Sequence, residues 1–270
     1  MSELAETFAA ARADDRALLI AYLPAGYPSL ADCVPVLAAM VENGVDVVEV
    51  GLPYSDPLMD GPVIQAAVSQ SLASGTRISD VLETVRGVAG TGAPTLVMSY
   101  WNPIERFGIE RFAKAMADAG GSGVINPDLT PEEAGPWIDA ADANGIDHVF
   151  LVAPSSTDAR IDLITSVTTG FVYAASTMGV TGARASVSSA AEKLVQRVRR
   201  TTSLPVCVGL GVSNAEQAAE VASYADGVIV GSAFVKALQD AVTPAAGAAA
   251  AANLAAELSA GVRAGRAHRG

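Results

Sequence analysis

Short runs of apolar, often β-branched residues alternate along the chain with longer stretches whose apolar residues recur at helical spacing. The runs are almost continuously apolar, which is typical of parallel strands buried on both faces. They predict eight strands, at residues 17–23, 45–50, 95–100, 123–125, 147–152, 171–175, 205–208 and 227–230. The stretches between them predict helices, among them residues 30–43, 63–73, 109–119, 131–144, 159–167, 190–201 and 215–223.

Eight strand–helix units are the number that closes a (β/α)8 barrel. The length of 270 residues fits one α/β domain of this kind, residues 1–270. We therefore predict a TIM barrel with an extra N-terminal helix and a short helix, residues 233–238, after the eighth strand. A doubly wound open sheet is the alternative, but no GxGxxG follows the first strand.

Three segments carry local signals for helix boundaries. Ser213 and Glu216 have the spacing of a capping box, which predicts a helix start there. Thr130 followed by Pro131 and two glutamates predicts another start. The alanine-rich tail, residues 245–262, is either coil or a last barrel helix, and its helix-forming composition favours the helix.

The net charge of −12 argues against nucleic acid or an anionic membrane as partner. The first sixteen residues carry charges throughout and lack the apolar segment of a signal peptide. The two cysteines, Cys33 and Cys207, are far apart and form no CxxC pair. Together these features predict a cytoplasmic protein with reduced thiols.

The scarce residue types limit the chemistry. The only histidines are His148 and His268, and no cluster of histidine and cysteine has the spacing of a zinc site. None of the three lysines, Lys114, Lys193 and Lys236, directly follows an apolar strand, where a Schiff-base lysine of a barrel is expected. We therefore expect neither a metal nor a covalent imine.

Glu49 interrupts the second apolar strand near its C-terminal end, which in a barrel is the catalytic face. Alternation places it on the same face as Val47, opposite Val48 and Val50. A carboxyl directed into the barrel is poorly solvated, so its pKa should rise. Such a group exchanges protons near neutral pH.

The loop after Glu49 contains two acids, Asp56 and Asp60, among prolines and a glycine. Loop acids commonly only shape turns, but this loop leaves the catalytic face directly after a buried glutamate. The residues alone leave open which of the two acids acts.

Glycines follow the last two strands, in Gly209-Leu210-Gly211-Val212-Ser213 and in Gly231-Ser232. In many barrels these two loops bind a phosphate through backbone N–H groups and a helix N-terminus. The loop at residues 176–184, after the sixth strand, mixes glycine with small polar residues and is a candidate lid or merely a loop.

The residues from Glu49 to Pro62 read EVGLPYSDPLMDGP, and this segment resembles a signature of the tryptophan synthase alpha chain family. The glycine loops after the last two strands also resemble that family, as do Gly179-Val180-Thr181-Gly182 and residues 22–28. The resemblance covers nearly the whole chain.

The resemblance implies retro-aldol cleavage of indole-3-glycerol phosphate to indole and glyceraldehyde 3-phosphate. Glu49 would be the general acid and base at C3 of the indole and at the glycerol hydroxyl. Asp60, rather than Asp56, would bond the indole N–H, and Tyr173 would lie near Glu49. The other implied substrate contacts are Gly182, Gly211, Gly231 and Ser232 around the phosphate, Tyr22, Met98, Tyr100 and Leu151 or its neighbours around the indole, and Thr181.

The resemblance also implies a partner, the beta chain of an α2β2 heterotetramer, which holds pyridoxal phosphate and receives the indole. This chain itself should need no cofactor. Pro53, Asp56 and Asn102 fall on the partner face. The chain departs from the family at Met59, often alanine there, at Tyr22, often phenylalanine, and at Thr130-Pro131, where the proline of many members comes one residue earlier.

Three alternatives stay open from the sequence. One is a stand-alone indole-3-glycerol phosphate lyase with the same barrel. Another is a phosphosugar isomerase or epimerase barrel, which shares the phosphate site. The third is a phosphate-binding regulatory subunit without activity.

Overall fold

The computed structural model describes residues 2–56, 58–175 and 184–266. Within them eight parallel strands pair in chain order, and the last pairs with the first, so the sheet closes into a barrel. The strands are β1 (Leu18–Pro24), β2 (Val47–Gly51), β3 (Thr95–Met98), β4 (Gly123–Asn126), β5 (Asp147–Val152), β6 (Val172–Ala175), β7 (Val206–Gly209) and β8 (Gly227–Val230). The predicted (β/α)8 barrel is confirmed, and the open-sheet alternative is wrong.

The described residues form twelve helices, most of which cover the outside of the barrel. They are α1 (Glu3–Ala13), α2 (Leu30–Glu42), α3 (Pro62–Ala73), α4 (Ile78–Ala89), α5 (Trp101–Phe107), α6 (Ile109–Asp118), α7 (Gly135–Ala143), α8 (Asp158–Val167), α9 (Arg184–Val198), α10 (Ala215–Ala222), α11 (Ser232–Gln239) and α12 (Pro244–Arg266). The alanine-rich tail therefore forms a helix, as its composition favours, and α11 is the predicted short helix after β8.

Alternation along the strands produces two apolar cores. One face of each strand contributes to the barrel interior, for example Ile20, Val47 and Ile125. The opposite face, with residues such as Val48 and Val50, packs against the helices. Because both faces are buried, the strands need the nearly continuous apolar sequence from which they were predicted.

Helix α1 covers the N-terminal end of the barrel. Leu4, Phe8 and Ala11 are buried there, and the ring centroids of Phe8 and Phe171 are 5.8 Å apart. Ser2 caps the helix by accepting a hydrogen bond from the backbone N–H of Ala5. The extra N-terminal helix is thus confirmed, and the opposite end of the barrel, where the strands end, remains for a site.

The structure corrects one predicted helix start and one predicted helix cap. Helix α7 begins at Gly135, not at Pro131, because residues 131–133 form a turn in which the Glu133 N–H donates to the Thr130 carbonyl. Pro136 then occupies the first turn of α7, where its missing N–H costs no hydrogen bond.

Helix α10 starts where predicted, but the cap lies one residue later than Ser213. Asn214 is the N-cap, and its side chain accepts from the backbone N–H of Gln217. The Gln217 side chain in turn accepts from the Ser213 N–H.

Candidate active site

The candidate site lies at the carboxyl ends of the strands, inside the barrel. Tyr22 on β1 is paired in register with Glu49 on β2, and Tyr173 on β6 packs against the interior core. Each of these side chains follows an interior apolar residue two positions earlier, at Ile20, Val47 and Phe171. The period of two that builds the core therefore also directs one acid and two phenols into the barrel mouth.

Glu49 is fully buried, and no hydrogen bond from the described residues reaches either of its carboxyl oxygens. Burial raises the pKa of Glu49 to about 8. The carboxyl is therefore mostly protonated at pH 7. It is held by its strand and by packing, and its proton is not shared with a partner among those residues.

Asp60 lies at the end of the loop that leaves β2, just before α3. The Tyr100 hydroxyl accepts a hydrogen bond of 2.8 Å from the Met59 N–H, and the Gln65 amide donates to the Asp60 carbonyl at 2.7 Å. Burial raises the pKa of Asp60 to about 6, so this carboxyl is mostly ionised at pH 7. Asp56, the other loop acid, is exposed and accepts a hydrogen bond from Ser55.

Tyr22 and Tyr173 each interact electrostatically with both acids, Glu49 and Asp60. Burial raises the pKa of Tyr22 well above its usual value, and the charges of Asp60 and Glu49 raise it further. Burial and the charges of Glu49, Cys207 and Asp60 do the same for Tyr173. Burial is also the main reason that the pKa of Tyr100 rises to about 12. All three phenols therefore stay protonated beside the carboxyls.

Three glycines border the tyrosine rings. A Cβ at Gly51 would lie 2.3 Å from the Tyr22 hydroxyl oxygen, and a Cβ at Gly209 would lie 2.6 Å from that of Tyr173. A Cβ at Gly231 would lie 3.1 Å from Cδ1 of Tyr22. Gly51 and Gly209 were not predicted as site residues. Their signal in the sequence is a glycine at an inward position where an apolar strand ends.

The predicted apolar lining is also at the barrel mouth. Met98 ends β3 and Leu151 lies on β5, and both are partly buried against the interior core. Strand β3 was predicted to include Tyr100, but it ends two residues earlier, at Met98. Tyr100 instead directly precedes α5. The structure thus brings Tyr22, Met98 and Tyr100 to the same end of the barrel as the two acids.

The two glycine loops leave neighbouring strands, since Gly209 on β7 pairs in register with Ile229 on β8. Gly211 has a φ of +68°, a conformation that favours glycine, and apart from its chain neighbours no atom of the described residues lies within 4 Å of where its Cβ would be. Ser232 begins α11, and no side chain caps that helix at Gly231. Thr181 and Gly182, with residues 176–183 of the predicted lid, lie outside the described residues.

Within residues 2–56, 58–175 and 184–266 no group of three or more histidines, cysteines, aspartates or glutamates could hold a metal ion. In the same part of the chain no helix is long and apolar enough to cross a membrane.

A closed β/α barrel with two carboxyls of raised pKa at the ends of its strands is built for acid–base catalysis. Sequence comparison identifies which barrel this is. The family model "Tryptophan synthase alpha chain" matches residues 8–263, so the chain belongs to the tryptophan synthase alpha chain family. It is accordingly a lyase of indole-3-glycerol phosphate, and the family inferred from the Glu49–Pro62 segment is confirmed.

Curated relatives agree over most of their length. A tryptophan synthase alpha chain of Thermobifida fusca is 59% identical over 244 residues, which cover 89% of this chain and 90% of the relative. One of Streptomyces avermitilis is 58% identical over 263 residues, or 97% of this chain and 95% of the relative.

Solved structures agree as well. A tryptophan synthase of M. tuberculosis in its aminoacrylate-bound form matches at 46% identity and a TM-score of 0.89, covering 97% of this chain and 100% of that chain. A tryptophan synthase subunit alpha of Legionella pneumophila matches at 31% identity and a TM-score of 0.88, covering 97% and 98%.

Proposed function

We propose that this chain releases indole and glyceraldehyde 3-phosphate from indole-3-glycerol phosphate by a retro-aldol step in which Glu49 moves the protons. The observation that carries this proposal is a buried carboxyl at the barrel mouth, without a partner among the described residues, at the same end of the barrel as a second carboxyl of lower pKa. Environments that push two carboxyl pKa values apart favour an acid role for one group and an ionised role for the other.

The first step uses Glu49 as an acid. Its neutral carboxyl gives a proton to C3 of the indole ring, which becomes positively charged at the ring nitrogen. Asp60, already ionised, accepts a hydrogen bond from the indole N–H and stabilises that charge. A fixed carboxylate aimed at developing positive charge lowers the barrier, because little reorganisation is needed during the reaction.

The second step uses the Glu49 carboxylate as a base. It removes the proton of the hydroxyl on the carbon attached to C3 while the carbon–carbon bond breaks. The electron pair of that bond returns to the ring and leaves indole, and the former alcohol carbon becomes the aldehyde. Glu49 is protonated again, so the cycle needs no net proton.

The surrounding residues are proposed to bind and orient the substrate. Tyr22, Met98 and Tyr100 would border the indole, and Tyr173 would face the glycerol next to Glu49. The phosphate would lie between the loops of Gly211 and of Gly231-Ser232, with Thr181 and Gly182 as further contacts. The left-handed backbone conformation of Gly211 and the uncapped start of α11 support this position.

We further propose that a beta chain covers the barrel mouth and receives the indole. Leu58 is 83% exposed and Met59 47% exposed in the loop that carries Asp60. Beside this loop a cavity of about 390 Å³ is lined by Pro53, Asn102 and nine neighbours. An apolar loop next to such a cavity suits a protein partner. Pyridoxal phosphate would belong to that partner, and the expected cytoplasmic location stays a prediction.

The assay for this function follows indole release from indole-3-glycerol phosphate, with and without a beta chain. We expect slow release by this chain alone and a large increase on adding the partner. Equal rates in both conditions would favour the stand-alone lyase. Binding without any cleavage, even with the partner, would favour the regulatory subunit. Turnover of a pentose phosphate instead would favour the isomerase or epimerase.

The two carboxyl pKa values predict a bell-shaped dependence of kcat/KM on pH. Activity should fall below about pH 6, as Asp60 becomes protonated, and above about pH 8, as Glu49 loses its proton. Initial rates at low substrate concentration from pH 4.5 to 9.5 measure both limbs. A profile that stays flat between pH 5 and 9 would contradict the assignment of these two groups.

A further inference from the structure

Tyr22 occupies a special place at the barrel mouth. It pairs in register with Glu49, and its ring lies between Gly51 on β2 and Gly231 after β8. A Cβ at Gly51 would lie 2.3 Å from the hydroxyl oxygen and 2.7 Å from Cζ and Cε2. The phenol end of the ring is therefore seated where position 51 has no side chain, directly before the loop that leads to Asp60.

The Tyr22 hydroxyl is a hydrogen-bond donor that has no role in the mechanism proposed above. The side chain is only 7% exposed, and its hydroxyl forms no hydrogen bond with another described residue. The Tyr100 hydroxyl, by contrast, accepts from the Met59 N–H. Since burial and the nearby negative charges keep the pKa of Tyr22 well above neutral, its hydroxyl always carries a proton to donate.

Among the described residues, every group that affects the pKa of the Tyr22 phenol electrostatically is an acid, either a carboxyl or another phenol. They are Asp60 from the loop before α3, Glu49 from β2, Tyr100 from the start of α5 and Tyr173 from β6, and Asp60 has the strongest effect of these. For Tyr173 the strongest such effect is that of Glu49. Both carboxyls act on both phenols, with the larger effect from Asp60 on Tyr22 and from Glu49 on Tyr173. Within the described part of the chain only burial shifts the pKa of Asp60, and no hydrogen-bond donor there lowers it again.

We propose that Tyr22 is a positioning residue, whose hydroxyl donates a hydrogen bond to the Asp60 carboxylate when the indole ring is bound. This inference rests on the proposed function, in which Asp60 faces the indole N–H. The hydrogen bond would hold Asp60 ionised and fix the direction of its free oxygen. An apolar ring alone could line the pocket, but it could not donate a hydrogen bond that orients the Asp60 carboxylate.

Tyr22→Phe tests the proposal, because phenylalanine retains the ring between Gly51 and Gly231 and removes only the hydroxyl. We expect kcat to fall about 10- to 100-fold, the effect of losing one hydrogen bond to a charged group. The acid limb of kcat against pH should move up by about one unit, because Asp60 then ionises less readily in the substrate complex. Tyr224→Phe, which removes a phenol hydroxyl just before β8 at the opposite end of the barrel, should change neither value.

A second measurement does not depend on turnover. The Asp60 carboxyl is titrated by carbon-13 NMR in the presence of indole, in the wild type and in Tyr22→Phe. A higher Asp60 pKa in the variant supports the proposal even if no cleavage is detected. An unchanged Asp60 pKa together with an unshifted kcat profile would overturn it, while normal indole release by the wild type would leave the proposed function intact.

Discussion

Replacing Glu49 by glutamine is expected to lower indole release by about a thousandfold or more and, at the same time, to raise the free energy of unfolding at neutral pH. The loss of activity follows because the amide can neither give a proton to C3 nor remove one from the hydroxyl. General acid and base roles each contribute about 10²- to 10⁴-fold, and Glu49 is proposed to perform both. The side chain keeps its shape, so substrate binding should change little.

The gain in stability follows from the sign of the pKa shift. In the unfolded chain Glu49 ionises above about pH 4.5, whereas in the folded barrel its pKa is about 8. The folded state therefore loses stability as pH rises from 4.5 to 8, by about 3 kcal/mol at pH 7. Glutamine does not ionise, so the variant avoids most of this cost.

Urea unfolding of both proteins between pH 4.5 and 8.5 measures the difference. We expect the curves to be closest near pH 4.5 and the variant to be more stable by about 1–3 kcal/mol at pH 7, less than the full cost because a buried amide also lacks partners. Glu42→Gln, which removes an exposed carboxyl from α2, is the matched control and should alter neither stability nor activity. A Glu49→Gln protein that is less stable than wild type at pH 8 would show that the carboxyl is ionised and paired in the folded state.

Glu49 could be predicted from the sequence because one local rule decides its position. Within a strand the side chains alternate, so an acid two residues after Val47 shares the interior face with it. The same rule identifies the eight strands, since burial on both faces requires apolar residues at nearly every position. Closure of the barrel follows from the number of units rather than from any single residue.

The role of Asp60 could not be decided from its local sequence. Asp56 and Asp60 lie in one loop, and the difference between them is tertiary. Tyr100 holds the Met59 N–H across 41 residues of sequence and so sets the course of the loop into Asp60. Asp60 becomes partly buried as a result, whereas Asp56 stays exposed. Only the family resemblance could favour Asp60 in advance.

Two further differences have the same origin. The third strand was predicted to run to Tyr100, but it ends at Met98 because the following residues make contacts elsewhere: the Trp101 N–H donates to Asp128 and Tyr100 anchors Met59. Gly51 and Gly209 were not predicted as site residues, because their significance lies in tyrosines on neighbouring strands. Contacts between strands are invisible to a pattern along one strand.

Asp60→Asn is expected to lower kcat about 100- to 1,000-fold while leaving KM within a few-fold of wild type. Asparagine can still accept a hydrogen bond from the indole N–H, but it carries no charge to stabilise the positive ring. Loss of one preorganised electrostatic contact in a shielded site has an effect of this size. Because the proposed phosphate loops follow β7 and β8, far along the chain from this loop, substrate binding should persist. The acid limb near pH 6 should disappear, since asparagine does not titrate.

Asp56→Asn is the matched control, because it makes the same chemical change four residues earlier in the same loop, at an exposed carboxyl. It should be compared on the isolated chain, since Asp56 lies on the face proposed for the partner. Initial rates and KM for both variants, with the pH dependence of kcat, separate the possibilities. If Asp56→Asn lost as much activity as Asp60→Asn, the loop rather than one carboxylate would be responsible. If Asp60→Asn lost substrate binding and turnover together, Asp60 would be supporting the fold of the loop, and its proposed action on the indole nitrogen would be wrong.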